Sequence, residues 1–142
     1  MNLGNFPIHA EITGPLVILG FGSIGRGALP LIERHIKFDK SRTVVVDPRD
    51  ALHQEIASYG VAHVAAAVTK RNYRDLLTPL LTKGDGQGFC VNLSVDTSSV
   101  EIMRLCRDLG VLYIDSSVEA WPGFFASAEI SNANRTTYAL RE

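Results

Sequence analysis

Short apolar runs alternate with longer amphipathic stretches along this chain. Pro15-Leu16-Val17-Ile18-Leu19, Val44-Val45-Val46, Val61 to Ala65, Phe89-Cys90-Val91-Asn92-Leu93 and Val111-Leu112-Tyr113-Ile114 are the five runs. Each is brief and rich in β-branched or aromatic residues, which predicts strands buried on both faces. The stretches between them read as helices. Residues 24–36 carry Leu29, Ile32 and Ile36 at helical spacing, and 50–58 follow the second run. Residues 71–82 place Tyr73, Leu76, Leu77, Leu80 and Leu81 on one side, and 98–109 offer Val100, Met103 and Leu109 as an apolar set. Gly60 and Gly110 stand where helices should end before strands. Pro30 and Pro79 fall inside predicted helices and each removes a backbone donor, so a kink or a shortened helix is expected.

Strand–helix alternation predicts a parallel sheet with right-handed crossovers. With a glycine-rich turn after the first strand, the expected class is α/β. It is a Rossmann-type open sheet of about five strands in order 3-2-1-4-5, with helices on both faces. Residues 1–13 read as an irregular N-terminal extension and 14–125 as the dinucleotide-binding domain. Residues 126–142 are polar and read as the start of a connection to a C-terminal catalytic domain that lies outside this chain. Lys83-Gly84-Asp85-Gly86-Gln87-Gly88 reads as a flexible turn, since no helix follows it.

Composition narrows the function. Of 142 residues, 46% are hydrophobic and 20% charged, and 14 Lys+Arg against 15 Asp+Glu leave a net charge of -1. That balance argues against a strongly basic nucleic-acid binder or a polybasic membrane anchor. No apolar run reaches the ~18 residues of a membrane helix, and residues 1–13 carry no Lys or Arg for a signal peptide. The expected setting is cytoplasmic. Cys90 and Cys106 read as buried, reduced thiols. His9, His35, His53 and His63 lack metal-ligand spacing, so no metal is expected.

The candidate chemistry lies at strand ends. Gly20-Phe21-Gly22-Ser23-Ile24-Gly25 follows the first strand and opens a helix. Gly20 would permit a tight turn, Gly22 a close approach to a pyrophosphate, and Gly25 close helix–strand packing. Free N–H groups at the helix start, around Ser23 and Ile24, would hold the phosphates. Asp47 falls 22 residues after Gly25, where an acid accepts from both hydroxyls of an adenine ribose. A carboxylate there repels a 2′-phosphate and favours NAD over NADP, although Arg49 could instead accept that phosphate. An Asx turn before Pro48 is the plainer reading of Asp47.

After the fourth strand come Asn92, Ser94 and Asp96, placed to border the nicotinamide half of the cofactor. Thr97 or Ser98 with Glu101 would also cap the next helix. After the fifth come Asp115, Glu119 and Trp121, an acid-plus-aromatic group suited to an organic cation. Trp121 could equally cap the core.

On these segments the chain resembles the N-terminal part of the bacterial homospermidine synthase family, relatives of saccharopine dehydrogenase-like enzymes. The likeness runs from about Gly14 to Glu142. It is carried by Gly20 to Gly27, Pro30 to His35, Val46-Asp47-Pro48-Arg49, Gln87 to Thr97, Glu119 to Gly123, and Asn134 to Glu142. Where the family pattern has Glu-Pro-Trp, this chain has Glu119-Ala120-Trp121. The resemblance implies much longer enzymes that hold NAD tightly and join putrescine to an aminobutyl group taken from putrescine or spermidine. Putrescine and spermidine are then the implied substrates of the full-length enzyme. A homodimer is one assembly open to it, and neither a nucleic-acid nor a membrane partner is expected. Glu119, Asp115 and Trp121 are the implied substrate-binding or catalytic group. Three alternatives stay open: another NAD(P)-dependent oxidoreductase of the saccharopine dehydrogenase type, a non-catalytic NAD sensor, and an S-adenosylmethionine methyltransferase. The last would usually carry an acid just before the glycine turn, and Leu16 to Leu19 offer none.

Overall fold

The computed structural model describes residues 6–141; residues 1–5 of the expected extension and Glu142 lie outside it. Among the described residues, seven strands form two sheets. The main sheet is parallel and contains β2 (Leu16–Leu19), β4 (Thr43–Val46), β5 (Ala62–Val64), β6 (Phe89–Asn92) and β7 (Leu112–Asp115), in order β5-β4-β2-β6-β7. Counting only these five, that is the order 3-2-1-4-5 read from the sequence. The helices are α1 (Ser23–His35), α2 (His53–Ser58), α3 (Tyr73–Leu81) and α4 (Ser99–Asp108).

The central strand shows why the runs are continuously apolar. In β2, Leu16 and Ile18 face one side, where Leu29 of α1 and Ile56 of α2 pack. Val17 and Leu19 face the other, against Leu77 and Leu81 of α3 and Ile102 and Leu105 of α4. Period-two alternation thus feeds two separate cores, and no position of β2 remains for a polar residue. The α1–α2 layer stops short of the sheet edge. Leu112 and Ile114 of β7 stay about half exposed beside a groove of about 420 Å³.

Three expectations are corrected, and the shortening expected at the prolines is not seen. The buried stripe of α4 is Ile102, Leu105 and Cys106; Met103 is exposed. Of the expected set, Leu109 packs against the core that this stripe joins and Val100 is half-buried, while Met103 points away from it. Neither proline ends its helix: α1 runs through Pro30 and α3 through Pro79. Buried side chains lie beside each proline, Leu29 in α1 and Leu77 and Leu81 in α3, so packing offsets the lost hydrogen bond. The extension is not wholly irregular, since β1 (Ala10–Glu11) pairs in parallel with β3 (Ile36–Lys37) at the end of α1. Finally, Arg42 pins the Lys83–Gly88 turn. Its guanidinium donates to the carbonyls of Thr13 (3.1 Å), Lys83 (2.8 Å) and Asp85.

Gly60 and Gly110 end α2 and α4 as expected, with their N–H groups donating to Ala57 and Arg107 carbonyls. Cys90 and Cys106 are buried and unpaired as a disulfide. Among the described residues, no helix is long and apolar enough to cross a membrane, and no group of three His, Cys, Asp or Glu could hold a metal.

Candidate functional site

Strand register builds the site. Val64, Val46, Leu19, Asn92 and Asp115 are successive partners across the sheet, so all five strands end level. The residues after them gather at one edge, where parallel α/β sheets bind ligands. A cleft of about 670 Å³ opens there, between the glycine turn, Asp47–Arg49, the Ala66–Lys70 loop, Ser94–Thr97 and Trp121.

The glycine turn holds its shape by main-chain contacts. Gly20 has φ +84°, and its N–H donates to Val46 O at 2.9 Å. A Cβ there would stand 2.8 Å from Ser94 Cα, so both backbone angle and space require glycine. Gly25 lies under the turn, where a Cβ would meet Gly20 O at 2.7 Å. Gly22 differs: a Cβ would meet nothing within 4 Å. It is the N-cap of α1, with no side-chain cap and no acid in the first turn. The N–H end of α1, with Ser23 and Ile24 exposed, is therefore left for an anion, and the residues present fit a dinucleotide pyrophosphate.

Asp47 is 2% exposed at the end of β4. Oδ2 accepts from Phe21 N at 2.8 Å, tying the carboxylate to the glycine turn. Arg49 grips both oxygens, Nε to Oδ1 at 2.8 Å and Nη2 to Oδ2 at 2.7 Å, and its own N–H donates to Oδ1 at 3.1 Å. Burial pushes the carboxyl pKa up. The Arg49 guanidinium and the N–H donors of Phe21 and Arg49 outweigh that and hold it at about 2. The carboxylate thus forms the expected Asx turn onto Arg49. His63 Nε2 lies 2.9 Å from Asp47 O.

Beyond β6 the polar groups form a relay. Asn92, 2% exposed, accepts on Oδ1 from Ser94 N (3.2 Å) and Ser94 Oγ (2.6 Å) and donates from Nδ2 to Tyr113 OH (3.1 Å). Tyr113 OH donates in turn to Asp115 Oδ2 at 2.9 Å. Burial and the acceptor Asp115 raise the Tyr113 pKa well above the usual phenol range, so it stays a donor. Ser94 and Asp96 line the cleft; Asn92 lies behind them and sets their loop. Asp96 adopts φ +59°, a left-handed position that Asp tolerates better than most residues. Ser98 caps α4 by accepting from Glu101 N at 3.3 Å.

The substrate-side candidates are not all brought together. Trp121 reaches the cleft, while its ring packs on Tyr73 with centroids 5.6 Å apart. Its Nε1 is buried with no hydrogen-bond partner. Asp115 and Glu119 do not line the cleft. Asp115 receives Tyr113 OH, and Glu119 Oε1 accepts from Ser117 Oγ at 3.1 Å. Buried Ser99 stitches the Glu119 backbone to α4, accepting from Glu119 N at 2.9 Å. Sequence reasoning missed Tyr113 and the Ala66–Lys70 wall. Tyr113 was findable: it shares a strand face with Asp115, two residues on, beside Asn92.

Known proteins agree with this fold. Residues 16–142 match the family described as Saccharopine dehydrogenase NADP binding domain. The chain is similar to a homospermidine synthase of Mesorhizobium japonicum, 66% identical over 138 residues covering 97% of this chain and 28% of that protein. A homospermidine synthase of Blastochloris viridis is 56% identical over 97% of this chain and 29% of its own length. The crystal structure of a homospermidine synthase from Legionella pneumophila in complex with NAD superposes with a TM-score of 0.74. It is 26% identical, over 92% of this chain and 27% of that one. The chain thus spans under a third of the length of these relatives.

Proposed function

The chain belongs to the saccharopine dehydrogenase NADP-binding domain family, and from that premise we propose that it is the NAD-binding part of a homospermidine synthase. The observation that carries this reading is 66% and 56% identity to two proteins of that name over nearly the whole chain. NAD rather than NADP is supported by Asp47 and by the ligand of the Legionella structure. In this reading the turn from Gly20 to Gly25 and the start of α1 hold the pyrophosphate, and Asp47 takes the adenine ribose. Ser94, set by Asn92, borders the nicotinamide. NAD, when bound, supplies a hydride acceptor and, later in the same cycle, the donor that returns it.

The proposed reaction joins two amines without net oxidation. One terminal carbon of putrescine loses a hydride and its nitrogen a proton. The amino group of a second putrescine displaces ammonia at that carbon. Return of the hydride with a proton gives homospermidine, and spermidine can replace the first putrescine as aminobutyl donor, with diaminopropane leaving in place of ammonia. Trp121 supplies a ring face for the ammonium, worth roughly 0.5–2 kcal/mol. Glu119 and Asp115 supply negative charge once the rest of the full-length chain closes over the cleft. An NADP-dependent oxidoreductase of the same family is the competing reading, favoured by Arg49 beside Asp47.

Assay of the full-length enzyme tests both parts. Putrescine should yield homospermidine. Glu119→Gln should lower turnover by about tenfold, the effect of losing ~1.4 kcal/mol in the transition state, with NAD affinity unchanged. Absence of homospermidine overturns the reading. A Glu119→Gln enzyme that melts earlier but keeps its specific activity removes Glu119 from the substrate site.

A further inference from the structure

A carboxylate offers about four acceptor positions, and on Asp47 all four are filled. Two go to main-chain N–H groups, Phe21 N at 2.8 Å and Arg49 N at 3.1 Å. These belong to the glycine turn and the Asx turn and hold the carboxylate in place. The other two go to the fork of Arg49, at 2.8 and 2.7 Å. A ribose diol brings two O–H donors, and the only positions that can be vacated for it are those under the guanidinium. That side chain is 50% exposed, while the carboxylate it covers is buried. The mobile partner is therefore the arginine.

We propose that Arg49 is a displaceable latch that competes with the adenine ribose for Asp47 and thereby sets the preference between NAD and NADP. The inference rests on the NAD-binding reading given above. With NAD, the fork must swing off before the diol can bind, and apparent affinity falls with the fraction of molecules in which Asp47 is free. With NADP, the 2′-phosphate replaces a hydroxyl donor by an anion. The guanidinium then gains a phosphate partner while still neutralising Asp47. The same residue lowers affinity for one cofactor and raises it for the other. Arg26 is engaged elsewhere, with Glu55 accepting from its Nε and Nη2 at 2.6 and 2.7 Å.

Calorimetric titration of the chain with NAD and with NADP, at about 0.15 M salt to screen long-range attraction, tests this. Arg49→Gln should tighten NAD by about threefold to tenfold, as the competing state is removed. It should weaken NADP by a similar factor, as a phosphate partner is lost. Arg26→Gln removes the same charge nearby but leaves Asp47 covered, so it should not tighten NAD. If Arg49→Gln weakens NAD or leaves it unchanged, or if Arg26→Gln tightens it equally, the latch is overturned. If the folded wild type and Arg49→Gln bind neither cofactor, the NAD-binding reading itself falls and takes the latch with it.

Discussion

The two ends of the cleft are built differently. At the β2–β4 end the shape is held by main chain at the centre of the sheet: Gly20 N on Val46 O, and Phe21 N on the Asp47 carboxylate. Every polar position of Asp47 is satisfied within the chain. At the β6–β7 end the shape is held by side chains passing hydrogen bonds outward from Ser94 through Asn92 and Tyr113 to Asp115. That relay ends on an edge strand, and Trp121 Nε1 nearby is buried without a partner. The first end is closed by contacts within the chain, while the second keeps a buried donor unpaired.

The sharpest way to break this contrast is Gly20→Ala. A left-handed φ for alanine costs roughly 1–2 kcal/mol, and a Cβ 2.8 Å from Ser94 Cα adds a clash between the two ends. Urea unfolding should show a loss of about 3 kcal/mol. A loss below about 1 kcal/mol would mean that the turn is not held by backbone contact.

Asn92→Ala probes the relay. It leaves Ser94 and Tyr113 without their shared partner in a buried site, which should cost about 2–3 kcal/mol in the same measurement. A near-neutral result would show that the β6–β7 end does not depend on its side-chain chain.

The Asp47 carboxyl has a folded pKa of about 2, below its unfolded value of about 3.9. Its contribution is therefore fully present above pH 4 and is lost as pH falls through 2. Allowing for solvent on the Arg49 side, about 1–2 kcal/mol should disappear over that window. Asp47→Asn should flatten this part of the stability profile, and an unchanged profile would show that the pair contributes nothing to folding.

Gly22→Ala has the smallest effect on the fold and separates structure from binding. Its Cβ meets nothing within 4 Å, so stability should stay within about 0.5 kcal/mol of wild type. The new methyl would stand where the pyrophosphate approaches, and NAD affinity should fall about tenfold or more, equivalent to ~1.4 kcal/mol. Equal NAD affinity in the variant would take the pyrophosphate away from this turn.

Much of the first end was legible in the residues themselves. A fully apolar Leu16–Leu19, a glycine turn and an acid after Val46 impose their own geometry, because strand period, positive φ and strand-end position are local properties. Asp115, Glu119 and Trp121 were legible as a chemical set but not as a placed one. Stitching of Glu119 to Ser99 and packing of Trp121 on Tyr73 join residues far apart in the chain. The same holds for α4, where contact with β6 and α3 buries Ile102, Leu105 and Cys106 and leaves Met103 exposed.

By itself the sequence determined the order of the main strands and helices, the strand order of a parallel sheet, and the glycine turn with its acid, since alternation, chirality and backbone sterics act along the chain. Only the tertiary structure decided that Glu119 is stitched to Ser99, that Tyr113 bridges Asn92 and Asp115, and that Trp121 alone of its group reaches the cleft. Those facts depend on which side chains meet across strands and loops, and such meetings follow from packing in three dimensions, which no local spacing encodes.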